Sequence, residues 1–597
     1  MTATQIPHTA PGSPTPVSAA LADLLFPGQL GATHQRWRDF FSSAAFRFQE
    51  GLTHRERIAL SYDRLRLVNG AVAAPQALAG DPVDLTALHE WAGVVDPGMA
   101  TIASIHYNLF FGSLADHDPA GRDLGEYVRA DRIGTFLCTE AAHGNDAANM
   151  ETTATYDRAA REFVLHTPHA GARKFMPNTG PAGGAKGAVV AARLIVDGTD
   201  HGVLLFLTPL SDGDGSPLPG VEVSPLPQTV SSPVDHCATT FHHVRLPFSA
   251  LLQGDHGRLT PDGEFTSGFG SPRRRFLQSI GRVTMGKLCM SAHSLGVMRH
   301  ALDVAMRYAH TRVTSGMTNG QRVPLISHRG HHTALLDATA TAYAATLLQR
   351  SVVRQWGRAT GEEREAYERL TAISKAWITW RARAVMTECR ERCGAQGLVQ
   401  ENGIALQLAS VEGAITAEGD NKVIMEKAGG EMLLGGIDLK PESEIPPDHR
   451  ELTDPQFLQD LLADIERISH GRAKARLRQP AASPLARWNA TVTPAVALAD
   501  AHVHRLAAEC LLTAADQAPS GVPADLLHGL HSLFTLRRIA AHSGDLLARG
   551  RLTADHVERL PDAVDAVLGL LEPHALTLTH AFGGSRTLLR THPMLHA

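Results

Sequence analysis

Apolar residues recur three and four positions apart from about Thr33 to Arg132, as in His34-Gln-Arg-Trp-Arg-Asp-Phe-Phe and Glu56-Arg-Ile-Ala-Leu-Ser-Tyr-Asp-Arg-Leu. That spacing puts one apolar stripe on each helix. The texture changes near Gly134. Short β-rich runs follow, punctuated by Gly and Pro: Ala188-Val-Val-Ala-Ala-Arg-Leu-Ile-Val, Gly202-Val-Leu-Leu-Phe-Leu-Thr-Pro and the alternating Thr239-Thr-Phe-His-His-Val-Arg-Leu-Pro. These predict strands of a small barrel or sandwich. Helical periodicity returns near Phe276 and predicts helices over 279–312, 333–357 and 362–394. A proline-rich break, Lys440-Pro-Glu-Ser-Glu-Ile-Pro-Pro, precedes a last helical stretch rich in Ala, Leu, Arg and His. The first 18 residues are rich in Pro, Ser and Thr, too poor in apolar side chains to bury a core.

The predicted fold is therefore α+β, multidomain and mostly α. An extended or disordered terminus covers 1–30, and a helical domain covers 31–134. A small β-barrel domain spans 135–272, a central helical bundle 273–445, and an additional C-terminal helical domain 446–597. A chain of 597 residues, 43% hydrophobic, exceeds one compact core and agrees with several units.

Composition removes several function classes. A formal net charge of -5 leaves no electrostatic footprint for nucleic acid. No run of about 18 apolar residues predicts a membrane span. Six scattered cysteines make no disulfide framework, which favours a reducing compartment. With neither a secretory leader nor a peroxisomal ending legible, a cytoplasmic location is expected. Cys389 and Cys393, His242 and His243, and His328, His331 and His332 cluster without the spacing of a zinc site, so no metal is expected. Neither a nucleophile elbow nor a dinucleotide fingerprint appears.

Three segments carry chemistry. The first is Cys138-Thr-Glu-Ala-Ala-His-Gly-Asn-Asp with Met150-Glu-Thr-Thr-Ala-Thr-Tyr-Asp157. The second is Arg307-Tyr-Ala-His-Thr-Arg312. The third runs from Cys389-Arg-Glu-Arg-Cys-Gly394 to Ile415-Thr-Ala-Glu-Gly-Asp-Asn421. In this order the chain resembles the acyl-CoA oxidases over about residues 30–445, and its helical tail resembles their extra C-terminal domain. The resemblance implies FAD and dehydrogenation of an acyl thioester between its α and β carbons. It further implies O₂ as electron acceptor, giving hydrogen peroxide, and a homodimer or dimer of dimers.

Such a reaction needs a base for the α proton, donors for the developing enolate and an acceptor for the β hydrogen. The resemblance makes Glu418 the base, and the local sequence suits it. Gly419 relieves crowding, and Asp420 or Asn421 can cap the next helix. Thr139 matches the flavin-ring threonine, with Gly144 and Asn145 in the following turn near flavin or thioester. Asn178 stands where related oxidases carry Gly close to the flavin, and Met176 replaces an aromatic. By resemblance Arg312 meets the FAD pyrophosphate of a neighbouring subunit, while Gln396 and Gly397 meet its adenosine. Arg273, Arg274 and Arg275 form a basic run suited to CoA phosphates.

Asn178 and Met176 keep two variants open on the same fold. One is a dehydrogenase using a carrier-bound acyl group or another acceptor. The other is a flavin monooxygenase, against which Glu418 argues.

Overall fold

The computed structural model describes residues 15–117, 121–356, 362–584, 586–590 and 592–595. They form two compact units. One comprises the described residues of 43–293 with 412–420, the other the described residues of 15–42, 294–411 and 421–595.

The first unit begins with helices that open on ready-made caps. Thr53 and Glu56 make a reciprocal capping box before His54–Ala71. Asp81 caps Pro82–Val95 through the amides of Val83 and Asp84. Pro97–Ala103 runs on into a π-helical stretch, Ser104–Phe111.

The β module follows as β1 (Arg132–Leu137), β2 (Thr153–Asp157), β3 (Glu162–His166), β4 (Lys174–Phe175), β5 (Ala185–Val196), β6 (Thr199–Pro209), β7 (Val221–Pro225), β8 (Cys237–Phe241) and β9 (Val244–Pro247). Six of these strands make one sheet, and β4, β8 and β7 make a three-stranded sheet. Both sheets contribute to one apolar core, which includes Leu137, Phe163, Val190, Phe206, Val221 and Phe241. This is the sandwich form of the expected β module. The alternating run at Thr239 is two strands rather than one. His243, at φ 53°, breaks it, so that β8 pairs in the small sheet and β9 in the large one.

β5 organises the larger sheet. β6 pairs along one of its edges from Gly187 to Val196. A strand has only two edges, so its parallel partners β1 and β2 share the other. β1 ends at the pair Leu137–Val190, and β2 begins at the pair Thr153–Arg193. The chain between them, residues 138–152, leaves the sheet where β5 changes partners.

The second unit is helical. It holds Arg329–Gln355, Glu362–Arg392, Asn421–Leu433, Pro455–Leu477, Pro484–Gln517, Val522–Ala541 and Ala554–Leu571. Asp454 and Ser483 cap two of these helices, each followed by proline in the first turn. Residues 16–25, expected to be disordered, form the helix Pro16–Leu25 instead. Thr15 caps it, and Leu21 and Leu25 are buried because they fall on one helical face. Residues 1–14 lie outside the described residues.

Candidate active site

The site grows from the seam in the large sheet. Leaving β1, the chain turns at Cys138-Thr139-Glu140 and re-enters at Glu151-Thr152. A single carboxylate ties the two ends. Glu140 accepts from the amides of Glu151 at 2.7 Å and Thr152 at 2.9 Å. It also accepts from the Lys174 ammonium at 3.0 Å, with both side chains fully buried. Lys174 donates a further bond to the Cys138 carbonyl at 3.1 Å. Burial pulls the Glu140 carboxyl up, but Lys174 and these N–H groups outweigh it, so it titrates below the ordinary range. The first motif is thus largely a clamp holding Thr139, whose carbonyl accepts from the Phe175 amide at 2.9 Å.

Thr139 is exposed at this seam, as are Gly144 and Asn145 in the following turn. Asn145 takes φ 59°, a left-handed position that Asn tolerates well. Beside Thr139 the segment Phe175–Asn178 turns sharply. Met176 has φ 64°, and both Phe175 and Met176 expose apolar side chains, at 40% and 39%. Asn178 points the other way. Its side chain is fully buried, with Oδ1 accepting from Thr135 at 2.5 Å and Nδ2 donating to the Tyr62 hydroxyl at 3.1 Å.

Glu418 belongs to this same unit. It sits beyond Ile404–Thr416 at φ 59°, followed by Gly419 at φ 102°. A non-glycine residue in the left-handed region costs energy, of order 1–3 kcal/mol, and such strain tends to persist where a site requires it. The carboxylate lies directly against Gly286 of the helix Arg282–Thr311; a methyl at 286 would overlap all three carboxyl atoms. The thiols of Cys138 and Cys289 both feel the Glu418 charge. Burial, reinforced by Glu140 and Glu418 against the opposing Lys174, pushes Cys138 up to about 11. Burial likewise raises Cys289. Both thiols therefore stay neutral beside the carboxylate. Sequence reasoning missed Gly286 and Cys289, although a glycine in mid-helix, costing about 1 kcal/mol against alanine, is itself a sign of close approach.

Asn421, the last residue of the third motif, belongs to the second unit and does structural work there. It is the first residue of Asn421–Leu433, and its side chain bridges to Lys375 at 2.9 Å, Thr379 at 2.8 Å and the Ala376 carbonyl at 3.1 Å.

The remaining candidates separate. Arg275 is held by the β module, donating to the carbonyls of Phe269 and His201 at 3.2 and 3.0 Å, while Arg273 and Arg274 are exposed. Arg312, Gln396 and Gly397 fall in the second unit. Arg312 is exposed just past Arg282–Thr311. Gln396 accepts from Asn402 at 2.9 Å, and Gly397 packs on the backbone of Arg390.

Known proteins share this architecture. The profile described as "Acyl-CoA oxidase, C-alpha1 domain" matches residues 281–433, and the one described as "Acyl-CoA oxidase" matches 466–590. A putative peroxisomal acyl-coenzyme A oxidase 3.2 of Arabidopsis thaliana is 26% identical over 83% of this chain and 77% of its own length. The peroxisomal acyl-coenzyme A oxidase 3 of Homo sapiens is 30% identical over 59% of this chain and 52% of its own. The crystal structure of acyl-coA oxidase3 from Yarrowia lipolytica matches the fold with a TM-score of 0.84 at 22% identity, covering 96% of this chain and 88% of that one. Acyl-CoA oxidase-1 of Caenorhabditis elegans, solved in complex with FAD and ATP, matches with a TM-score of 0.83 at 20% identity, covering 97% and 92%. The chain belongs to the acyl-CoA oxidase family, oxidoreductases acting on the CH–CH bond of an acyl-CoA.

Proposed function

We propose that this chain is an FAD-dependent acyl-CoA oxidase, converting an acyl-CoA to its trans-2-enoyl thioester and passing the electrons to O₂ to give hydrogen peroxide. The reading is carried by one observation: a strained Glu418 whose carboxylate is lodged against Gly286 beside two neutral thiols. An acyl chain is apolar, and a carboxylate in apolar surroundings is a stronger base than one in water. Glu418 removes the α proton, and FAD, when bound, would supply the acceptor for the β hydrogen. The residues present suit that cofactor. Exposed Phe175 and Met176 offer an apolar face, and the exposed Thr139 adjoins it through the bond from the Phe175 amide to its carbonyl, a pairing of apolar and polar surface that suits a flat amphipathic ring.

Arg312, Gln396 and Gly397 are assigned to the pyrophosphate and adenosine of FAD across a homodimer, with sedimentation of the holoprotein as the check. Arg273 and Arg274 are assigned to the CoA phosphates. The named relatives are peroxisomal. Six free thiols suit any reducing compartment, and we assign this chain to the cytoplasm, tested by cell fractionation.

The deciding experiment offers butanoyl-, octanoyl- and hexadecanoyl-CoA to the purified yellow protein without oxygen. Bleaching identifies the substrate, and air then releases peroxide. Glu418→Gln keeps the colour but does not bleach; bleaching at the parental rate removes Glu418 from the base role. Gly286→Ala binds FAD normally yet bleaches about 10- to 100-fold more slowly, since a displacement of about 1 Å at the reacting groups costs that much.

A further inference from the structure

Beneath the exposed Phe175-Met176 face lies a second buried polar chain that the chemistry above does not use. Thr135 donates to Asn178, Asn178 donates to Tyr62, and Tyr62 donates to Asp235 at 2.5 Å. Lys186 approaches the other carboxylate oxygen of Asp235 at 3.6 Å and lies over the Tyr62 ring, 3.7 Å from its centroid. Tyr62, Asn178, Thr135 and Lys186 are all at most 1% exposed. The Tyr62 ring is itself fixed. It packs onto Gly183 at φ 76°, where a methyl would overlap the ring.

The same short stretch that carries Asp235 also grips the face from the side. Met176 donates to the Cys237 carbonyl at 3.1 Å, and Cys237 donates to the Pro177 carbonyl at 3.0 Å. His236 Nδ1 meets the Met176 carbonyl at 2.7 Å. Residues 175–178 are therefore held from two directions by residues 235–237.

We infer that Tyr62, Asp235 and Lys186 are positioning residues for the flavin-facing segment Phe175–Asn178, acting through the inward-turned Asn178 side chain. The inference rests on the flavin reading above. It also gives Asn178 a role different from that of a side chain touching the cofactor: both ends of its amide are occupied below the segment, so that only its backbone remains for the ring side.

One junction in this chain is loose. Among the described residues, neither Lys186 Nζ nor Asp235 Oδ2 has a hydrogen-bond partner. Burial pulls the Lys186 ammonium down to about 8, against the raising influence of Asp235. The groups facing it are Asp235, Tyr62, Cys237, Arg66 and His106. Burial holds His106 down near 4 and raises Cys237 to about 11, so neither changes charge in mildly alkaline solution. Loss of the Lys186 proton leaves Asp235 to Tyr62 alone and alters the pull on Asn178.

The test uses the full chain loaded with FAD, recording the flavin absorption band from neutral to alkaline pH, with FAD affinity as a second readout. In the parent protein the band shifts with a midpoint near pH 8. Lys186→Met abolishes that midpoint. Tyr62→Phe, which removes one oxygen, displaces the band at neutral pH and weakens FAD about tenfold, near 1.4 kcal/mol. Ser61→Ala removes a neighbouring buried bond, to Asp96 at 2.9 Å, and leaves band and affinity unchanged. If Lys186→Met does not fold, Tyr62→Phe decides alone. A yellow parent whose band and affinity are unmoved in Tyr62→Phe overturns the inference and spares the flavin reading. A parent that binds no FAD overturns both.

Discussion

Two buried lysine–carboxylate pairs lie under the candidate site, and they are built differently. Glu140 and Lys174 meet at 3.0 Å, and both are saturated with further bonds, two backbone amides on one and the Cys138 carbonyl on the other. Lys186 and Asp235 stop at 3.6 Å, with Nζ and the facing Oδ2 lacking a hydrogen-bond partner among the described residues. A buried charge is tolerated when every lone pair and proton is used, and is costly otherwise. The first pair is a rigid clamp on Thr139. The second is a yielding support under Asn178.

The largest effect separating them is thermodynamic. Lys174→Met strands the Glu140 carboxylate and lowers the unfolding free energy by about 3–5 kcal/mol in urea denaturation. Lys186→Met changes it by about 1 kcal/mol or less, because burial already disfavours that ammonium and Asp235 keeps the Tyr62 hydroxyl. Equal losses in the two variants would erase the distinction.

Smaller are the pH responses, which share a sign but fall in separate windows, one acid and one alkaline. Glu140 is depressed in the folded chain, so its contribution is present above its ordinary value of 4.5 and is lost as acid drives the pH below that. Glu140→Gln lacks that part of the acid slope. Lys186 falls from 10.5 to about 8 on folding, so between these values the unfolded chain binds more protons and stability rises with pH. Lys186→Met removes the rise, and a parent that loses stability over this window contradicts the assignment.

Legibility in the sequence followed periodicity. Helices predicted over 279–312 and 362–394 appear as Arg282–Thr311 and Glu362–Arg392, because long apolar stripes survive errors of a few residues at the ends. The run at Thr239 hid a sheet change, since alternation continues through a left-handed His243 that only pairing partners expose. Pro16–Leu25 was obscured by its Pro/Ser-rich surroundings. At the site, Glu418 and Thr139 stood out by resemblance and fall in one unit with Asn178. Tyr62, Asp235 and Lys186 were illegible, and Gly286 showed only as a mid-helix glycine with no hint of what approaches it. Their partners are far away in sequence, and nothing local marks a glycine or lysine as facing a distant carboxylate.

The handover along β5 has one more consequence. Since β6 backs that strand from Gly187 to Val196, residues 138–152 hang from a rail that does not depend on them. The Glu140–Lys174 clamp is what holds the segment to this rail, so a variant that breaks the clamp frees the segment while the rail stays zipped. Amide hydrogens of Glu151 and Thr152 would then exchange well before those of Leu204 to Leu207.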